Sequence, residues 1–273
     1  MVILVLAVGC GEGGSAPLDA PPAGDPAPQF PSAPRGSVRV VGGGGIAVTL
    51  HAAAPAPLAR EVGRAGSCRL LEVEPGGCAG PCAGACVGGE CLPFPTAISA
   101  GPVTLAGLEG GPVVLPFDPS AGYLPPLLPG GALFTAGAEV TVSAPGDAFP
   151  AFSLSAAAVA PIAPVGLPSP LTLAPGADAV FRWTPADAQS RVRLTLVADE
   201  LHGLPPLATI ECDAPDAGEV TVPAALVDMF LEPEHWGTCG RCPVSSIMRY
   251  RRAATADVEL WLGAAVRFQV SRY

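Results

Sequence analysis

The chain contains no lysine, and its 14 basic residues, all arginine, stand against 24 aspartates and glutamates for a formal net charge of −10. That balance argues against nucleic acid or an anionic membrane face as the main partner, since both reward a basic surface. The missing lysine also excludes serine–lysine catalysis, and neither a Gly-x-Ser-x-Gly elbow nor an HExxH zinc motif is present. Only three histidines, His51, His202 and His235, are available for general-base work, and none has a recognisable sequence partner. Charged residues make up 14% of the chain, against about 25% in an average globular protein. Long helices are excluded as well, because 34 glycines and 34 prolines punctuate the 273 residues. What is present is apolar: 49% hydrophobic residues, enough to build a core. Short strands joined by many turns satisfy both constraints.

The first ten residues, Met1-Val-Ile-Leu-Val-Leu-Ala-Val-Gly-Cys10, form an apolar run too short to span a bilayer. Ala7-Val8-Gly9-Cys10 resembles the lipobox of bacterial lipoproteins. That resemblance implies a signal peptide over 1–10, palmitate-type lipidation of Cys10 and cleavage just before it. The glycine pattern Gly9-Cys-Gly11-Glu-Gly-Gly14 has the spacing of a dinucleotide loop, but Pro17, Pro21, Pro22 and Pro26 forbid the helix it requires. Residues 11–36 read instead as a disordered Pro/Gly/Ala tether, able to reach about 80 Å at ~3.1 Å per residue. The wider texture resembles uncharacterised lipoproteins of GC-rich Gram-negative bacteria. This implies a location at the cell envelope, on the outer membrane or its periplasmic face, and otherwise secretion.

From Ser37 onward the sequence predicts an all-β fold. Strand-like pieces lie at 37–41, 46–51, 68–73, 102–105, 112–115, 138–143 and 149–155. These define a Cys-rich β domain over 37–160. A proline-rich stretch at 161–170 reads as a linker, followed by a β-sandwich of immunoglobulin type over 171–273. In this last part Val192, Leu194 and Leu196 alternate with Arg191, Arg193 and Thr195, and Val258, Leu260 and Leu262 alternate with Glu259 and Trp261. Further strands are expected at 171–173, 180–183, 208–212, 219–222, 246–251 and 266–270, with one short helix at 223–231 opening on proline. The element Val180-Phe-Arg-Trp183-Thr-Pro185 resembles the early tryptophan strand of fibronectin type III domains, which implies a related sandwich.

Setting Cys10 aside leaves five cysteines in one cluster, Cys68, Cys78, Cys82, Cys86 and Cys91, and three in another, Cys212, Cys239 and Cys242. In an exported protein the expectation is disulfides. Both clusters are odd, so complete pairing requires a bridge between them, or else one free thiol in each. The rival reading is a zinc site built from Cys212, His235, Cys239 and Cys242.

Glu211, Asp213, Asp216 and Glu219 gather four carboxylates before a strand, either a calcium loop or a turn. Asp199-Glu-Leu-His202 offers an acid and a base in what reads as a loop. Arg191, Arg193, Arg249, Tyr250, Arg251 and Arg252, with Arg267 on a nearby strand, form a candidate interaction patch, arginine and tyrosine being the residue types of interface anchors. The expectation is therefore a non-enzymatic, cofactor-free envelope lipoprotein, a binding or adhesion module for a protein or glycan partner. A zinc-binding protein and a hydrolase with a site dispersed in sequence are the alternatives.

Overall fold

A computed structural model of the chain describes residues 30, 33–43, 45–74, 76–124, 133–198, 206–236 and 244–272. The fold is all-β with one short helix. Its spine is a ten-stranded sheet. From one edge its strands are Arg60–Ala65, Cys68–Glu72, Ala208–Pro215, Arg191–Val197, Ser245–Ala254, Val258–Phe268, Gly36–Gly42, Gly45–Leu50, Gly122–Tyr123 and Phe117–Asp118. All neighbours are antiparallel except Gly36–Gly42 and Val258–Phe268, which run parallel with Val38 opposite Leu260.

Two smaller sheets cover one face of this spine and enclose two cores. The three-stranded sheet Ala163–Val165, Ala179–Thr184 and Glu219–Val222 contributes Phe181, Trp183, Val220 and Val222 to the first core. There they meet Leu70, Val192, Leu194, Ile210 and Ile247 of the spine. The four-stranded sheet Phe152–Ala157, Glu139–Ala144, Val103–Ala106 and Val113–Leu115 forms the second core with Val38, Val40, Val48, Leu260 and Leu262. Strict alternation explains both, because period-two apolar positions all fall on one side of a strand.

The cores do not follow the sequence boundary at 161–170. Cys68 and Leu70, from the first half, pack in the first core, while Val258, Leu260 and Leu262, from the last strand, pack in the second. Residues 163–165 are themselves a strand, paired with Ala179–Thr184. Strands of 171–273 are spread over the spine, the three-stranded sheet and the pair Leu171–Thr172 with Val270–Ser271. The expected pieces at 258–262 and 266–270 include one continuous strand, Val258–Phe268, and the expected helix is Ala224–Phe230. Asp178 accepts the Ala224 backbone N–H at 2.7 Å, supplying a cap that Pro223 cannot, and Leu226, Val227 and Phe230 fill the first core.

The glycine-rich cysteine segment forms its own hairpin, Gly84–Val87 with Glu90–Pro93. No residue of 76–93 joins either core. Its shape is held by Cys78–Cys86 and Cys82–Cys91.

Candidate functional site

Among the described residues no sheet lies over the second face of the spine, and its side chains can be read from the register. Residues directly opposite across a sheet share a face, so one row runs Arg64, Arg69, Glu211, Thr195, Ser246 and Arg267. A second row runs Arg252, Trp261, Arg39 and Ala47. Arg191 and Arg193 share the parity of Thr195, so seven of the chain's 14 arginines (39, 64, 69, 191, 193, 252, 267) lie on this face. The acidic residues sharing it are Glu61, Asp118, Glu211, Asp213 and Glu259. This face of an acidic protein is therefore locally basic.

Much of that charge is spent internally. Asp213, fully buried, takes Arg191 at 2.6 Å and Arg193 at 3.0 Å, and the Tyr250 hydroxyl donates to the same carboxylate. Burial, and then the negative charge of Asp213, push the Tyr250 phenol well above its ordinary pKa. Arg252 pairs with the buried Glu259 at 2.8 Å, and Arg69 grips Glu211 through Nε and Nη2. Trp261 lies at the centre, 3% exposed, its ring 4.6 Å from Tyr250 and from the Arg193 guanidinium. Such stacking is favourable on the electron-rich ring face.

The expected patch is thus split by the alternation of its own strand. Tyr250 and Arg252 lie on this face with Arg191 and Arg193. Arg249 points into the core, fully buried, against Asp216 at 2.5 Å and the carbonyls of Ala160, Pro161 and Pro185. Arg251, also on the covered side, binds Asp187 at 3.2 Å. The Asp187 carboxyl is held below its ordinary pKa first by the Ser190 hydroxyl and also by Arg251. The calcium reading of the acidic loop does not survive this geometry: Glu211, Asp213, Asp216 and Glu219 go to Arg69, Arg191 with Arg193, Arg249, and Arg182 respectively.

Between these anchors lies an open groove of about 410 Å³. Gly45, Ala47 and Ala265 line it with minimal side chains, and Arg39, Arg193 and Arg267 line it with long ones. Space persists because the outward positions of the central strands are small. Arg39 and Arg267 are exposed and have no ion pair among the described residues. Glu211 is the groove's one carboxylate, and Arg69 already neutralises it. Trp261 lines the groove too, and its indole N–H is buried without a hydrogen-bond partner among the described residues. An unmet buried donor costs about 1–3 kcal/mol. Sequence reasoning named Arg193 and Arg267 but missed Arg39 and Trp261. The available signal was their outward parity, single polar or aromatic positions between inward Val38 and Val40 and between Leu260 and Leu262. Phe30, preceding the first strand, rests over the Arg69 guanidinium at 4.2 Å, beside the groove.

Three disulfides are formed among the described residues: Cys68–Cys212, Cys78–Cys86 and Cys82–Cys91. The first joins the two cysteine clusters across directly opposed strand positions, as odd parity required of complete pairing. It also takes Cys212 out of the zinc set. Cys239 and Cys242 lie outside the described residues, as do Cys10, most of the tether, Asp199 and His202.

His235 is 7% exposed, with Nε2 3.3 Å from Glu72, and it lines a second pocket with Arg60, Glu74, Glu232 and Glu234. The residues lining that pocket include no hydroxyl or thiol to serve as nucleophile. His51 ends its strand beside Ala97, and burial lowers its pKa. The metal-capable cluster found among the described residues is Cys78, Cys82 and Cys91, whose sulfurs are in the hairpin disulfides. No helix among the described residues is long and apolar enough to cross a membrane.

No protein-family model matches the chain, and no curated protein matches it in sequence.

Proposed function

We propose that this chain is a cell-envelope lipoprotein, lipidated at Cys10, that works as a non-catalytic binding module. The observation carrying the binding part is the second face of the spine, where the sheet presents a groove lined by the exposed Arg39 and Arg267, neither of which has an ion pair among the described residues. Five of the seven arginines on this face are opposed by its own carboxylates, which leaves the positive charge of Arg39 and Arg267 for an acidic ligand. The disulfide from Cys68 to Cys212 joins two neighbouring strands of the spine on its core side, suited to an oxidising compartment.

The anchoring part rests on the Ala7-Val8-Gly9-Cys10 resemblance. Expression in a lipoprotein-competent bacterial host, followed by detergent partitioning and intact-mass measurement, tests it. The expected mass carries a diacylglycerol-type addition on Cys10 and the protein partitions with membranes, whereas Cys10→Ala releases it. An unmodified wild-type chain in the aqueous phase would overturn the anchor.

A further inference from the structure

The groove's chemistry specifies its ligand more closely than the word binding does. Arg39 and Arg267 offer planar guanidinium forks, which match carboxylates, and Arg193, already held by Asp213, adds positive charge between them. Thr195 and Ser246 line the same groove and add hydroxyls, and Trp261 adds an N–H with no partner among the described residues. Apart from Glu211, already held by Arg69, every group able to form a strong polar contact is a donor or a hydroxyl.

Position in the sheet matters as much. The edges of the spine are Arg60–Ala65 and Phe117–Asp118, each two strands beyond the strands that line the groove, and those strands have neighbours on both sides, Gly45–Leu50 meeting its outer neighbour where Val48 faces Tyr123. An extended peptide binds a sheet through main-chain hydrogen bonds at an edge. A groove on the face offers side chains only, so it suits a ligand that displays its acceptors as side groups. From Trp261 to Arg267 the donors span six residues of one strand, or about 20 Å at ~3.3 Å per residue. That length fits several repeats of a chain molecule better than one small anion.

Resting on the binding-module reading, we infer that the groove binds an acidic polysaccharide, a chain of carboxylate-bearing sugars. Arg39 and Arg267 grip carboxylates near its two ends, Arg193 lies between, and Trp261 donates its indole N–H to an oxygen of the same chain. Ser246 and Thr195 serve the sugar hydroxyls.

The test is calorimetric titration of the full-length disulfide-bonded protein with a galacturonate oligosaccharide at about 150 mM salt, with neutral dextran oligomer and poly-glutamate as comparison probes. Galacturonate is expected to bind and dextran not to. The double variant Arg39→Ala/Arg267→Ala is expected to lose about tenfold or more in affinity. Trp261→Phe, which keeps a ring but removes the donor, loses less. Arg182→Ala removes an exposed arginine from the three-stranded sheet and should bind as wild type. Unchanged melting temperatures establish that each variant is folded.

Wild-type affinity in the folded double variant overturns the groove as the site. Poly-glutamate binding as tightly as galacturonate overturns the glycan in favour of an acidic peptide. No binding of galacturonate also overturns the inference. The wider binding-module reading fails separately, if the protein retains no ligand from arrays of neutral glycans, acidic glycans and envelope proteins.

Discussion

Asp213 and Asp216 stand three residues apart, both buried, and both are held by arginine, yet they serve opposite faces of one sheet. Asp216 lies on the covered side, where Arg249, the Trp183 indole N–H and three backbone carbonyls satisfy one another completely. Asp213 lies on the uncovered side, where it restrains Arg191, Arg193 and Tyr250 beside the groove. The inner pair ties the 160–161 segment to the first core. The outer one organises a surface. Arginine's role here is set by strand parity, and a run such as Arg249-Tyr-Arg-Arg252 mixes both roles.

The largest effect is expected from removing one inner partner. Arg249→Met should destabilise by about 3–5 kcal/mol in chemical denaturation, because it leaves Asp216 charged and buried. Adding Asp216→Asn should recover part of that loss, since both charges are then gone and Trp183 keeps an acceptor. A double variant no better than the single would show that the carbonyl contacts, and not the charge pair, dominate.

The next effect separates the two kinds of disulfide. Replacing Cys68 and Cys212 by alanine should cost roughly 2–5 kcal/mol, as the bridge closes a loop with a sequence separation of 144 residues and lies in the first core. Removing Cys78–Cys86 and Cys82–Cys91 should leave the main unfolding transition within about 0.5 kcal/mol, because the hairpin belongs to neither core.

On the outer face, Asp213→Asn should cost less than breaking the inner pair, about 1–3 kcal/mol, since Arg191 and Arg193 can still reach water. The same change should lower the Tyr250 pKa, read by absorbance during an alkaline titration, because the charge that opposes phenolate formation is removed.

The smallest effect concerns acid. His51 is lowered from 6.5 by burial, so below that pH the unfolded chain binds a proton that the folded chain resists. Stability should fall as pH drops below 6.5 toward the folded value, and His51→Gln should flatten that slope in pH-dependent denaturation curves.

Strand positions were legible because alternation is local: Val192-Arg-Leu-Thr-Leu reveals its period without knowledge of any neighbour. Pairing was not legible. Nothing in Gly36–Gly42 signals that it lies parallel to a strand more than 200 residues away, or in Cys68–Glu72 that it completes the other core. Cysteine parity was the exception, a global constraint readable from a count, and it required the bridge between clusters that Cys68–Cys212 supplies under complete pairing. The site was half legible. Arginine density marked Arg191 and Arg193, but Arg39 stood alone in its strand, and only register places it opposite Trp261.

The most direct test of the account follows the arginine side chains themselves. Two-dimensional NMR of the guanidinium Nε–H resonances, with galacturonate oligosaccharide added stepwise to the folded protein, reads both faces at once. The account predicts shifts at Arg39, Arg193 and Arg267, with Arg249 unmoved against Asp216. Shifts confined to other arginines, or none at concentrations where calorimetry detects binding, would contradict it.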